Sequence, residues 1–323
     1  MSATAPSVLC VPPSDPPPVI FLNAAAGSGR AKRTLARIRG IFERRACRVD
    51  CVETRSRNEL EDRTVRLVEE GRQIFLALGG DGTLQGLVQA VMGRDVTIGI
   101  IPAGSGNDFA AALGFPPNPV RAAELLFDCE PCLVDVAIAR TADGNERVYV
   151  GGGGIGLDAD AARYAASHYR RLSGKIRYVA SALHALKHFE ALCVRAQCGE
   201  VGGSDCRELQ SNALVACVLN SPTYGGGLRL APNARIDDSL LDLTLLESLK
   251  VPQVLRLVPR LLATGQVTTP GIQRVQCSRV RLEPDRFCFF HGDGEILGPA
   301  PVEIAVLPAA VRVMAPRRIE SAR

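Results

Sequence analysis

Three glycine-bearing segments carry the residue types that could handle a phosphate. They are Asn23 to Gly29, Gly79-Gly80-Asp81-Gly82-Thr83, and Gly104-Ser105-Gly106-Asn107-Asp108. Glycine lets backbone N–H groups approach an anion without a Cβ in the way, and a helix N-terminus adds favourable partial charge. A carboxylate in such a loop repels phosphate unless a cation lies between them. Asp81 therefore points to Mg2+ shared between the protein and the phosphates of ATP. Neither of the two commonest nucleotide signatures is present: there is no G-x-x-x-x-G-K-[ST], and no G-x-G-x-x-G opens the first helix. Near the end of the chain, Asp293-Gly294-Glu295 places two acids around a turn glycine. On its own such a tripeptide is more often an ordinary β-turn than a site.

The elements that must position these loops alternate. Val19–Leu22, Ile74–Leu78 and Val96–Ile101 are short, apolar and followed by glycine turns, the pattern of buried strands. Between them Arg30–Ala46, Asn58–Glu70 and Leu84–Met92 read as helices, the second stopped by Gly71. Strand and helix in alternation predict a parallel sheet with right-handed crossovers, whose carboxyl-end turns gather on one edge. The pattern changes near Pro131. Leu133–Ala139 and Arg147–Val150 flank Asp143-Gly144, a hairpin signal. A helical stretch is expected over about Ala159–Leu192. Strands are expected at Ala213–Leu219, Leu241–Leu246, Val275–Leu282 and Phe287–Phe290. The fold class is thus α/β: a Rossmann-like parallel-sheet domain, then a mainly antiparallel β domain with inserted helices. The expected division is a flexible Pro-rich tail over 1–18, a first domain over 19–131, and a second over 132–307.

Composition narrows the classes. The 323 residues leave room for about two domains, and a net charge of +4 is too small to imply nucleic acid. No run of about 18 uncharged apolar residues marks a transmembrane helix. Residues 1–18 show neither a basic n-region nor an apolar h-region. The eleven cysteines are scattered and odd in number, so reduced thiols in a cytoplasmic protein are the expectation. Arg30–Arg48 is basic and amphipathic. It suits either a solvated helix face packed on the sheet, the favoured reading, or transient contact with anionic lipid. Cys129-Glu130-Pro131-Cys132 lacks the second pair that zinc needs. His184 and His188 have metal-capable spacing without the accompanying glutamate. His291, two residues before Asp293, is read as a structural residue or as one supporting its acidic neighbours.

Taken together, the motifs resemble the catalytic domain of the diacylglycerol kinase and sphingosine kinase superfamily, most of all its soluble bacterial lipid kinases. The resemblance rests first on Gly79–Thr83 and on Ile101–Ala110. It continues through Gly154–Ala159, through Tyr224-Gly225-Gly226-Gly227-Leu228 with Ala231–Ala234 and Asp237–Asp242, and ends at Asp293–Glu295. It spans about residues 19–315. GGDGT alone is shared with NAD kinases and some phosphofructokinases; the ordered set is more specific.

The resemblance implies an ATP-binding α/β domain, completed by about 308–323 with a strand near Ala310–Met314. It also implies a β-sandwich domain for the lipid and an active site between the two. The activity implied is transfer of the γ-phosphoryl group of Mg-ATP to a lipid hydroxyl, with diacylglycerol the default acceptor. A sphingoid base, ceramide, a monoacylglycerol or NAD is the alternative within the superfamily. A silent nucleotide- or lipid-binding regulator is the alternative of another class. Glu295 falls where the family places its base, with Asp81 and Asp293 as the other catalytic acids and Asp293 also able to help hold a metal. Nucleotide contacts are assigned to Asn23, Gly27, Thr54, Gly79, Gly80, Asp81, Gly82, Thr83, Gly104, Ser105, Gly106 and Asn107. Asp81 serves the nucleotide-bound Mg2+, with Asn107 or Asp108 as helpers. A second, structural Mg2+ would take the Asp238 carboxylate and the carbonyls of Arg235 and Leu240. The lipid pocket is expected near Gly154–Asp158 and the helical stretch after it, including Tyr164, Tyr169 and Tyr178. The implied partners are the lipid and a transient membrane surface at the inner face, with a homodimer left open. Three departures stand out: Ala24 where Pro is usual, Ser56-Arg57-Asn58 where Gly-His-Ala is common, and Ser239 in place of a Gly.

Overall fold

The computed structural model describes residues 7–23, 29–157, 191–200, 202, 206–249, 251–264 and 271–317. The chain forms two compact units, Met1–Val134 with Ala310–Arg323, and Asp135–Ala309. The sequence placed these divisions at 131/132 and 307/308.

In the first unit the described parallel strands are β1 (Val19–Asn23), β2 (Asp50–Thr54), β3 (Ile74–Gly79), β4 (Thr97–Pro102) and the end of the long β15 (Val302–Pro316). The spatial order is β2-β1-β3-β4-β15, with all neighbours parallel. β1, β3 and β4 are buried along almost their whole length, as strands covered on both faces must be, which is why they read as continuous apolar runs. β2 was not among the expected strands. Its sequence, Asp-Cys-Val-Glu-Thr, is half-exposed because it is an edge strand that pairs with β1 alone among the described residues.

The helices are α1 (Arg30–Arg44), α2 (Arg57–Glu69), α3 (Asp81–Val91), α4 (Asp108–Ala112) and α5 (Pro119–Leu125). Ser56 caps α2 by accepting the Glu59 N–H, and Glu59 accepts the Arg55 N–H in return. Gly71 closes the same helix at φ 86°. α3 begins at Asp81, three residues before the expected Leu84, so most of the GGDGT segment is itself a helix N-terminus.

Two expectations are corrected near the start of the chain. Residues 7–18 are not a free tail. Leu9 is fully buried, Arg48 donates to the carbonyls of Pro12 and Asp15, and Arg72 donates to that of Pro17. Thiols are not reduced throughout, because Cys10 and Cys47 form a disulfide with Cα atoms 4.8 Å apart. A proline-rich composition describes local stiffness; it does not show one buried leucine or a partner cysteine 37 residues away.

The second unit is antiparallel. β5 (Cys129–Thr141), which starts in the first unit, and β6 (Glu146–Tyr149) form the expected hairpin, with Gly144 at φ 81°. The others are β7 (Gly152–Gly156), β8 (Leu192–Gly199), β9 (Cys206–Leu219), β10 (Leu241–Glu247), β11 (Ile272–Cys277), β12 (Arg279–Pro284), β13 (Phe289–Gly292) and β14 (Glu295–Pro299). They run in the order β14-β13-β7-β9-β8-β12-β15, with β10 pairing both β9 and β11. The single strand expected over Val275–Leu282 is broken at Ser278 into β11 and β12, which pair with different neighbours. Among the described residues of this unit, the helix α6 (Val251–Ala263) turns Leu257 and Leu261 into an apolar cluster with Tyr224 and Leu230. A larger core lies among Ile155, Val194, Val218, Leu243, Val280, Phe290 and Ile304. Nearly all of the helical stretch expected over 159–192 lies outside the described residues, with Tyr164, Tyr169, Tyr178, His184 and His188. Leu192 itself opens β8.

Candidate active site

In the first unit the second and third glycine loops are packed directly on one another. A methyl group at Gly104 would lie 2.5 Å from Gly80 Cα, closer than any real Cβ contact, so the two backbones meet with no side chain between them. Gly79 O accepts from Ala103 N at 2.7 Å and Gly104 N at 3.1 Å. Asn107, at φ 62°, closes its own loop: Oδ1 accepts from Gly104 N and Nδ2 donates to Gly104 O, both at 3.0 Å. Asp81 ties the loops together. Its Oδ2 accepts the Asn107 N–H at 2.7 Å and its Oδ1 the Phe109 N–H at 3.4 Å.

Burial, and after it the charge of Asp108, pushes the Asp81 carboxyl up to about 6. Two acids beside a bare backbone surface at a helix N-terminus suit a phosphate together with a divalent cation that offsets the charge. Ser105 and Gly106 are exposed, while Thr83 and Thr54 are buried. Asn23 ends β1, and Gly27 of the first loop lies outside the described residues.

In the second unit Glu295 is exposed and opens β14. The turn before it is held from behind. Asp293, at φ 51°, accepts the N–H groups of Val150 at 2.7 Å, Gly151 at 2.9 Å and Gly152 at 3.2 Å, and its own N–H donates to Gly152 O. Its carboxylate is thus a brace for the backbone.

Asp238 sits in a tight turn where its Oδ1 accepts the Leu240 N–H at 3.1 Å. Desolvation raises its carboxyl, with Asp135 and Asp237 adding to the effect. Arg235 pairs through its side chain with Asp237. One carboxylate with main-chain carbonyls suits a hard cation. Among the described residues no group of three or more His, Cys, Asp or Glu could hold a metal by side chains alone. Ser239 adopts φ 62°, the conformation the missing glycine would favour.

Sequence reading missed two buried polar residues nearby. Asp135 is 2% exposed, and its oxygens accept the N–H groups of Ser239 at 2.6 Å and Ala309 at 2.8 Å, both residues at positive φ. Asn220 is fully buried and donates to the carbonyls of Asp135 and Val150. An aspartate inside the run Leu133-Val134-Asp135-Val136-Ala137 was the available signal, because a lone acid in a buried strand needs partners.

A parallel α/β unit bearing GGDGT, followed by an antiparallel β unit, defines the class of protein: the NAD kinase and diacylglycerol kinase-like fold. Residues 17–139 match the diacylglycerol kinase catalytic domain, and residues 151–315 match the YegS C-terminal NAD kinase beta sandwich-like domain. The chain belongs to this family of lipid kinases. It is 31% identical over 251 residues to a "Diacylglycerol kinase" of Mycobacterium tuberculosis, covering 77% of this chain and 79% of that one. It is 28% identical over 262 residues to the "Probable lipid kinase YegS" of Escherichia coli O127:H6, covering 78% and 82%. The fold is shared with the crystal structure of a putative diacylglycerol kinase from Bacillus anthracis, at 20% identity and a TM-score of 0.72 over 94% of this chain and 98% of that one.

Proposed function

We propose that the protein transfers the γ-phosphoryl group of ATP to a lipid hydroxyl, with diacylglycerol the first acceptor to test and phosphatidic acid the product. The observation that carries the reading is the contact of Gly80 with Gly104, braced by Asp81. It builds one continuous backbone surface from two loops at the carboxyl ends of β3 and β4, where an α/β sheet binds phosphates. In the reaction the acceptor oxygen forms a bond to the γ-phosphorus while the bond from that phosphorus to the β,γ-bridging oxygen breaks. The hydroxyl proton passes to Glu295. An exposed carboxylate on a braced turn is suited to that work. Asp81 and Asp108 are the residues that would hold Mg2+, which neutralises phosphate charge when bound. Asp238, with the carbonyls of Arg235 and Leu240, would hold a second, structural cation.

The nucleotide side uses Asn23, Thr54, Gly79 to Thr83 and Gly104 to Asn107. The described residues contain no helix long and apolar enough to cross a membrane. In this reading the lipid acceptor is met at a membrane surface. The test is transfer of labelled γ-phosphate from Mg-ATP to diacylglycerol, monoacylglycerol, ceramide and a sphingoid base in mixed micelles, with NAD as a soluble acceptor and Asp81→Ala as the blank. Label in a lipid, absent from the blank, is the expected outcome. Label in NAD alone moves the protein to the neighbouring branch. No label, with ATP bound, overturns the kinase reading.

A further inference from the structure

His291 and Tyr224 are 4% and 7% exposed, and neither has a role in the chemistry above. Tyr224 Oη lies 2.9 Å from His291 Nε2, and the two rings stack at 14° with centroids 5.9 Å apart. Two apolar side chains would fill the same space without desolvating polar atoms. A buried polar pair adds direction, because its polar contacts, 2.9 Å to Nε2 and 3.4 Å to Nδ1, hold only while the two rings keep their relative placement.

What that direction controls follows from the strands. β13 and β14 lose their regular register between Phe290 and His291, just before the turn that carries Glu295. The bulge disrupts the ladder locally, and pairing resumes in the shifted register with His291 opposite Ile296 and Gly292 opposite Glu295, so whatever holds His291 bears on the strand pair that carries Glu295. Two side-chain anchors lie at that point. One is Asp293, already described. The other is His291, held by Tyr224. Tyr224 is in turn rigidly placed: its N–H and carbonyl both bond Leu228, at 2.9 and 3.0 Å, closing a turn over Gly225, Gly226 and Gly227. Its ring lies on β7, where a methyl group at Gly152 would come within 2.9 Å of it.

We infer that Tyr224 and His291 are a positioning pair for Glu295, transmitting the fixed geometry of the 224–228 turn to the turn at 293–295. The inference rests on the reading of Glu295 as proton acceptor, so its test has one arm that does not use activity. Tyr224→Phe removes a single oxygen, and His291→Leu removes the ring. Both are expected to lower kcat about 10-fold with KM for ATP unchanged, the scale that a small misplacement of a reacting group produces. The double variant should lose no more than either single one, and His291→Gln should recover part of the loss seen with leucine. Hydrogen exchange at the amides of Gly294 and Glu295 should quicken in Tyr224→Phe and His291→Leu. Unchanged exchange in both overturns the coupling, whatever the wild type phosphorylates. Faster exchange with kcat unchanged leaves a structural contact and overturns the positioning role. A wild type that labels no acceptor refutes the kinase reading, while exchange still decides the coupling. If His291→Leu does not fold, Tyr224→Phe decides both arms.

Discussion

The loops of the first unit and the turn of the second solve opposite problems. At Gly80 and Gly104 the backbone is the working surface, and the side chains of Asp81 and Asn107 hold it. At Asp293–Glu295 the proposed working group is an exposed side chain, and the backbone beneath it is held by Asp293 and by residues far away in sequence. The first kind of site tolerates no added atom. The second tolerates volume but not loss of its one functional group.

The largest effect expected from this contrast is at Glu295. Glu295→Ala should lower kcat by roughly 10²–10⁴-fold, the range for a lost general base, with ATP affinity nearly unchanged. Steady-state kinetics beside equilibrium nucleotide binding would check it; retained turnover removes Glu295 from the mechanism. Gly104→Ala should act the other way round. Its methyl group would press on Gly80 Cα, so nucleotide binding and turnover should fall together, by about 10²-fold for a displacement near 1 Å. Titration with a fluorescent nucleotide measures this, and normal affinity would mean that the backbone contact is not the nucleotide surface.

A third test concerns Asp242, which lies near the acidic turn of the second unit. Burial raises its carboxyl to about 6, against a hydrogen bond from Gln276 that lowers it. From about pH 4 to pH 6 the folded chain keeps a proton that the unfolded chain has lost. Stability therefore falls as pH rises through that window, by about 2–3 kcal/mol in all. Asp242→Asn removes the fall, so the variant should exceed the wild type in urea unfolding at pH 7 and match it near pH 4. The smallest effect is expected at Ser239. Its φ of 62° disfavours a side chain. Ser239→Gly should gain about 0.5 kcal/mol, the left-handed strain relieved less the entropy glycine adds to the unfolded chain. A loss on thermal unfolding would show that the serine side chain has its own stabilising contact.

How much of this was legible depended on whether the signal was local. β1, β3 and β4 stood out because strands buried on both faces are apolar throughout, and Asp143-Gly144 marked its hairpin because only certain residues fit that turn. β2 was hidden because an edge strand can be polar. The anchoring of residues 7–18 was hidden because it depends on Arg48, Arg72 and Cys47. At the candidate sites the glycines, Asp81, Asn107 and Glu295 were visible as motif members. That Asp81 braces a neighbouring loop, and that Asp293 holds the 150–152 backbone, was not.

The sequence by itself determined the chemistry on offer and the family, since residue types at short spacing are local facts. Only the tertiary structure decided which acids face outward and which also brace the backbone around them. That choice is made by hydrogen-bond partners distant along the chain: 26 residues from Asp81 to Asn107, and 143 from Val150 to Asp293. A buried carboxylate must find N–H donors wherever the fold supplies them.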